Sequence, residues 1–310
     1  MIIRIFYSII LICLLGSVTA SAAGKSTITV LSYNVRNYFV EGEKSGPPKS
    51  EKSRNAVAAT IASSAPDIVL LYEIGGKAAL LDLAGRLQKL GQNYLYSDCM
   101  TEADSWRYIG VLAKFAPGKV EKIDNLTYNL RPKNKRFKGL EQVPVQRGFF
   151  HLVFVKGSYR LNILSAHLKA RLFHPRYNQT DMRRMEARLL RKTIENIMKK
   201  QPDANLLVVG DLNDVYSSDP LRTIKGENVK KGAKLADLKP EDMMHCTWTH
   251  WWNAEDSYGR IDYALASKGL LPEVEKSKSA VIHLPSLWIT ASDHRPVLTV
   301  IHAEETGNTE

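Results

Sequence analysis

Cysteine is scarce in this chain, three in 310 residues, and none sits in a CxxC pair. That excludes a zinc ribbon and a thioredoxin-like redox motif. Repeats, low-complexity blocks and Gly/Ser-rich linkers are absent as well, which excludes solenoids and points to one domain over residues 26–303, followed by a flexible tail at 304–310. Beyond residue 22 no stretch is apolar enough to span a bilayer. Acidic residues are in deficit, 32 against 43 Lys plus Arg, for a formal charge of +11 that favours anionic partners. With 44% hydrophobic and 24% charged residues, the composition excludes a disordered or collagen-like chain.

What is present starts with a leader. Residues 1–22 carry one cation, Arg4, an apolar run from Ile5 to Leu15, and small residues Ala20-Ser21-Ala22, the pattern of a signal peptide. A membrane anchor is the alternative, but the run is shorter than the roughly 20 residues a span needs. The expected location is secreted or periplasmic, with no stable membrane anchor once the leader is removed, and the expected state a monomer. An oxidising compartment allows either a Cys99–Cys246 disulfide or two buried thiols. His245, Cys246 and His250 in HCTWTH lack the repeated spacing of a zinc site.

Short β-branched runs read as strands at residues 27–33, 67–73, 108–115, 148–155, 160–167, 205–211, 260–266 and 296–302, and helical periodicity appears at 51–64, 77–89 and 181–200. Many strands with few intervening helices predict an α/β chain of two packed sheets covered by helices.

Several of these apolar runs stop abruptly at a polar side chain: Asn34, Glu73, His167, Asp211 with Asn213, and Asp262, while Asp293 and His294 precede the last run. Singly each has a structural reading, Asn34 as a turn former, Asp211 and Asn213 as an Asx turn, Asp262 as half of an ion pair with Arg260. Together they suit phosphate-ester cleavage. Glu73 and Asp293, with Asn34, offer hard oxygen ligands to Mg²⁺, with Mn²⁺ or Ca²⁺ as substitutes. Asp211 is placed to activate a water and Asn213 to fix its geometry. His294, paired with Asp262, would stabilise transition-state charge, and His167 would assist from the other side or protonate the leaving group.

The segments SYN (32–34), PDIVLLYE (66–73), SAHLKA (165–170), VVGDLND (208–214), GRIDYAL (259–265) and SDHRPV (292–297), in this order, resemble the endonuclease/exonuclease/phosphatase superfamily across nearly the whole chain after the leader. The resemblance implies a four-layer α/β/β/α sandwich of two mainly antiparallel sheets, Mg²⁺ dependence and single-step hydrolysis by an activated water. Tyr72 stands where many members have Gln. His167 resembles the deoxyribonuclease and sphingomyelinase branches; in the deoxyribonuclease branch a Glu pairs with it, and the comparable stretch here, DSWRYIGVLAKF, offers only Asp104 or Glu102.

For the substrate, basic clusters favour nucleic acid cleaved with low sequence specificity: RPKNKRFK at 131–138, then Lys169, Arg171, Arg176, Arg183 and Arg184, with Arg147 a further substrate contact beside Asn34. The alternatives are a phosphatase or a sphingomyelinase, the latter inserting Trp251 and Trp252 of THWWN into a membrane. An inactive anion-binding protein is disfavoured because every core residue is present.

Overall fold

A computed structural model of the chain describes residues 26–305 except 43–45, 101–105, 135, 228 and 230–232. The leader at 1–22, the end of the tail, and the candidate His167 partners Glu102 and Asp104 therefore lie outside the described residues. No helix among the described residues is long and apolar enough to cross a membrane.

Two six-stranded sheets form the body. In the first, the strand Thr27–Tyr38 runs parallel to Ile68–Ile74 and antiparallel to Val297–His302, with Tyr108–Ala113, Tyr96–Cys99 and Ala280–Val281 completing it. In the second, Asn205–Asp211 runs parallel to Tyr159–His167 and antiparallel to Asp262–Ala266, with Phe149–Lys156, Lys119–Ile123 and Ala236–Asp237 outside them. Each sheet holds a single parallel pair, so both are mainly antiparallel. Each parallel pair is joined through a helix, Glu51–Ala62 in one case and Gln179–Lys200 in the other, as a parallel connection requires.

Alternation at period two sorts the strand residues into layers. Ile28, Val30, Ile68, Leu70, Ile163, Leu207, Val209 and Ala264 fill the space between the sheets. The opposite faces carry Leu31, Val69 and Leu71 against the helices Glu51–Ala62 and Lys77–Lys89, and Leu164, Leu206 and Val208 against Gln179–Lys200 and Asp219–Lys225. This is the expected four-layer sandwich. The long helix starts at Gln179, two residues before the periodicity predicts, because the Asn178 side chain accepts from the amides of Thr180 and Asp181.

Gly210 holds the second parallel pair close. A Cβ built on it would meet the Ala166 carbonyl oxygen at 1.9 Å, and Gly210 faces Ala166 in the strand register. Gly210→Ala is expected to destabilise the fold by about 3 kcal/mol or more through forced backbone separation, measurable by denaturant unfolding. An unchanged midpoint would refute the close approach.

Candidate active site

Followed toward one end of the sandwich, the inter-sheet layer changes character. The apolar positions give way to Ser32, Tyr72 and Ser165, and one step further to Asn34, His167, Asp211 and Asp262. All are buried. Tyr72 Oη lies 3.1 Å from Ser32 Oγ and 3.0 Å from Ser165 Oγ, a hydroxyl bridge from one sheet to the other beneath the site. Its ring also meets His167 edge-on at 5.8 Å. Tyr72→Phe leaves two buried hydroxyls without this partner and is expected to lower stability by about 1–3 kcal/mol; a thermal melt matching wild type would rule the bridge out as a stabilising element.

Asp211 is the hub of the polar layer. In the strand register it stands between His167 and Asp262. Its Oδ2 accepts from Asn34 Nδ2 at 3.0 Å across the sheets, lies 3.4 Å from His167 Nε2 and 3.9 Å from His294 Nε2. Its Oδ1 accepts from the Asn213 amide at 3.0 Å, and Asn213 Nδ2 donates to the Leu168 carbonyl at 3.0 Å. Asn213, at φ 52°, thus forms an Asx turn that locks the strand end in place. Burial, then Asp262, pushes the Asp211 carboxyl above the usual carboxylate range, opposed by His294 and Asn34.

His294 Nδ1 lies 2.9 Å from Asp262 Oδ2. Burial alone would lower the imidazole, but Asp262, Asp211 and Asp293 outweigh it and push His294 up to about 10. The segment is pinned twice: the Ser292 hydroxyl donates to the Asn34 carbonyl at 2.8 Å and accepts the His294 amide at 3.1 Å, while Thr249 Oγ1 accepts the Asp262 amide at 3.0 Å. His167 is held the other way. Burial first, then Arg147 and His294, pushes it well below its ordinary value, and its Nδ1 has no hydrogen-bond partner among the described residues. A neutral ring presenting Nε2 suits hydrogen bonding better than the charged acid the sequence allowed.

Glu73 reaches the site through a β-bulge. The pairing with Tyr108–Ala113 shifts register between Tyr72 and Ile74, and Glu73 itself adopts φ 62°. Bulges re-aim side chains in this way beside functional sites. Its Oε2 accepts the Asn37 amide at 3.0 Å and lies 3.6 Å from Arg107 Nε. Asp293 Oδ2 lies 3.3 Å from Arg36 Nε. Both carboxylates also attract the Lys49 ammonium, whose pKa falls to about 8 through burial and Arg36. Two carboxylates that share the Lys49 ammonium as a neighbour form a hard-oxygen donor set that fits a divalent cation. Asn34 Oδ1 accepts the Arg36 amide at 2.9 Å, so its oxygen is shared with the backbone. Besides these oxygens, Asp211, Asp262 and His294 form one group of donor atoms within 4.8 Å of one another, and His250, Asp293 and His294 form another.

The cationic candidates divide. Arg147 is buried beside His167, its Nη1 donating to the Leu168 carbonyl at 3.2 Å. Lys169 is also buried, its Nζ donating to the carbonyls of Ala170 and Leu172 at 3.2 and 3.4 Å. Arg171 pairs with Asp214 at 2.9 Å, and Arg183 with the same carboxylate at 2.8 Å. These four brace the loop after His167. Arg36, Lys49, Arg107 and His250 were not singled out as site residues in the sequence. Arg36 alone had a signal, two positions after Asn34. Cys99 is buried and Cys246 half-buried. Trp251 packs within an aromatic group, 5.8 Å from Trp288 and 6.5 Å from Tyr258.

The Endonuclease/Exonuclease/phosphatase family model matches residues 31–294, a span that begins just before Asn34 and ends on His294. The chain belongs to this family. Solved structures agree on the family's fold. Truncated TDP2 of Caenorhabditis elegans superposes with a TM-score of 0.56 at 18% identity, covering 89% of this chain and 98% of that one. A family protein from Bacteroides vulgatus gives 0.56 at 18%, covering 90% and 100%. The human Nocturnin catalytic domain with bound sulfate anion gives 0.57 at 16%, covering 88% and 93%. No curated protein matches the chain. Family membership makes phosphate-ester hydrolysis the chemistry of the site.

Proposed function

We propose that the chain is an exported nuclease of low sequence specificity that hydrolyses nucleic-acid phosphodiester bonds with the help of a divalent cation, Mg²⁺ first. The observation that carries this reading is the single Asp211 oxygen shared by Asn34, His167 and His294 at the open end of the two sheets. Glu73 and Asp293, with Asn34 beside them, would hold the cation, which when bound neutralises phosphate charge and stabilises the leaving oxygen. Asp211 orients a water and takes its proton; its raised pKa makes it a better base near neutral pH than an ordinary carboxylate. His294, kept charged by Asp262, stands ready to stabilise the charge that develops on phosphorus oxygens. His167 hydrogen-bonds as a neutral ring.

Nucleic acid as substrate is supported by the basic surface beside the site. The two cationic segments meet there: the Lys133 amide donates to the Arg176 carbonyl at 2.9 Å, Lys133 Nζ to the His174 carbonyl at 2.9 Å, and Phe173, 77% exposed, lies under Lys133. Such a surface reads phosphate rather than sequence.

The test is Mg²⁺-dependent product release from supercoiled plasmid, single-stranded RNA, sphingomyelin and inositol polyphosphate, at low and moderate salt, with EDTA controls. Nicking or RNA cleavage that vanishes with EDTA and weakens with salt is the expected result. Cleavage confined to lipid or inositol phosphate would overturn the substrate, and inactivity on all four would overturn the hydrolase reading.

A further inference from the structure

His250 stands apart from the hydrolytic roles and faces two of the groups that serve them. The short strand His250–Trp252 pairs with Ser257–Gly259 as a hairpin, and its open side bridges backbone to backbone with the segment carrying Asp293 and His294. The Trp251 amide donates to the Asp293 carbonyl at 2.9 Å and the Arg295 amide to the Thr249 carbonyl at 2.7 Å. This ladder brings the His250 and His294 rings together, with centroids 4.5 Å apart and planes tilted by 52°. His250 Nε2 lies 4.0 Å from Asp293 Oδ2, and one donor atom from each of His250, Asp293 and His294 falls within 4.8 Å of the others.

The donor set is two imidazoles and one carboxylate, which differs in kind from the oxygen set of Glu73, Asp293 and Asn34. Imidazole suits Zn²⁺ and neighbouring transition ions, whereas Mg²⁺ and Ca²⁺ prefer oxygen alone. His294 already has the partner such a ligand uses: Nδ1 faces the Asp262 carboxylate at 2.9 Å, which orients the ring with Nε2 directed away from that bond. Zinc–ligand bonds of about 2.0–2.1 Å in a tetrahedron place donors about 3.4 Å apart. The His250–Asp293 pair therefore needs to close by roughly half an ångström, within the reach of two half-buried side chains. Arg36, 3.3 Å from Asp293 and 49% exposed, has room to swing aside.

We propose that His250, Asp293 and His294 form a binding site for a transition-metal ion of the Zn²⁺ class, overlapping the hard-oxygen site through Asp293. An ion there displaces the His294 Nε2 proton to solvent, as metal binding to imidazole requires, takes the position that would otherwise face substrate and diverts Asp293 from the hydrolytic cation. Zn²⁺ then acts as an inhibitor of Mg²⁺-supported turnover, a consequence that rests on the hydrolase reading, whereas binding itself does not.

The experiment therefore uses no substrate. Zn²⁺ is titrated into the full mature chain against a chromophoric chelator in excess Mg²⁺, for wild type and His250→Ala, and Co²⁺ is added separately to follow its visible d–d absorption. Wild type is expected to bind one Zn²⁺ in competition with the chelator, with affinity falling at least about 10-fold in the variant, and the cobalt absorption is expected to weaken and shift as one of its two nitrogen ligands is removed. Imidazole resonances of His250 and His294 in wild type should shift with Zn²⁺ and not with Mg²⁺, a readout that stands even if the variant fails to fold. Equal affinity in both proteins, or no effect of Zn²⁺ on the His250 ring, overturns the site. Loss of hydrolysis on every substrate with zinc binding intact would instead overturn the functional reading alone.

Discussion

Asp211→Asn is expected to lower kcat for Mg²⁺-supported hydrolysis by about 10³- to 10⁴-fold while leaving the protein folded. The substitution keeps shape and removes the carboxylate placed among Asn34, His167 and His294 to take a proton from water. It also separates activity from stability. Because burial and Asp262 raise the Asp211 pKa in the fold, ionised Asp211 opposes folding at neutral pH, so the variant is expected to melt no lower than wild type. Sites shaped for chemistry commonly show this trade. Residual activity within ten-fold of wild type would remove Asp211 from the chemistry.

The second large effect belongs to Asp262. Its carboxylate holds His294 at 2.9 Å and is the strongest upward influence on a pKa of about 10. Asp262→Asn should bring the His294 pKa down toward the ordinary range and reduce kcat by about 10²- to 10³-fold. The sign of the pH effect follows directly. His294 must be protonated to act, so wild-type activity persists until pH approaches the raised value, and the variant's alkaline limb moves to lower pH. Stability changes with it: the contribution of this pair is complete below the unfolded histidine pKa of about 6.5 and disappears as pH rises through the folded value. NMR titration of His294 in the two proteins, beside pH–rate profiles, checks both. An unchanged alkaline limb would show that another group sets it. Combining His294→Ala with Asp262→Asn should cost little more than His294→Ala alone, since both remove one function.

The central strands were legible because burial on both faces leaves continuous apolar runs, and each of the eight predicted runs corresponds to a strand. The missed strands lie at sheet edges or in hairpins. Lys119–Ile123 shows almost no buried position and Tyr96–Cys99 only one, so no hydrophobic alternation announces them. The same division holds at the site. Asn34, His167 and Asp211 follow apolar runs and were visible as interruptions of a pattern, whereas Asp262, expected to end one, opens the strand Asp262–Ala266. Glu73 was visible as a type of residue but not as a bulge, because its φ of 62° arises from the register shift against Tyr108–Ala113 and not from its own preference. Arg107 and Lys49 come from loops with no periodicity to break. His250 was weighed only against its sequence neighbours Cys246 and His245, while its partners arrive from a segment more than forty residues later.

The strand pairing that joins Thr27 to His302 carries a consequence for timing. The strand with Asn34 is made before every other described strand, and its neighbour Val297–His302 follows all of them. His294 and Asp293 enter the site only as that final strand zips alongside. A chain still being made, or one halted short of its end, holds Glu73, Asp211 and Asp262 but no charged histidine opposite them. Competence is thereby tied to the pairing of a late strand with an early one, and the site is assembled only when the two meet.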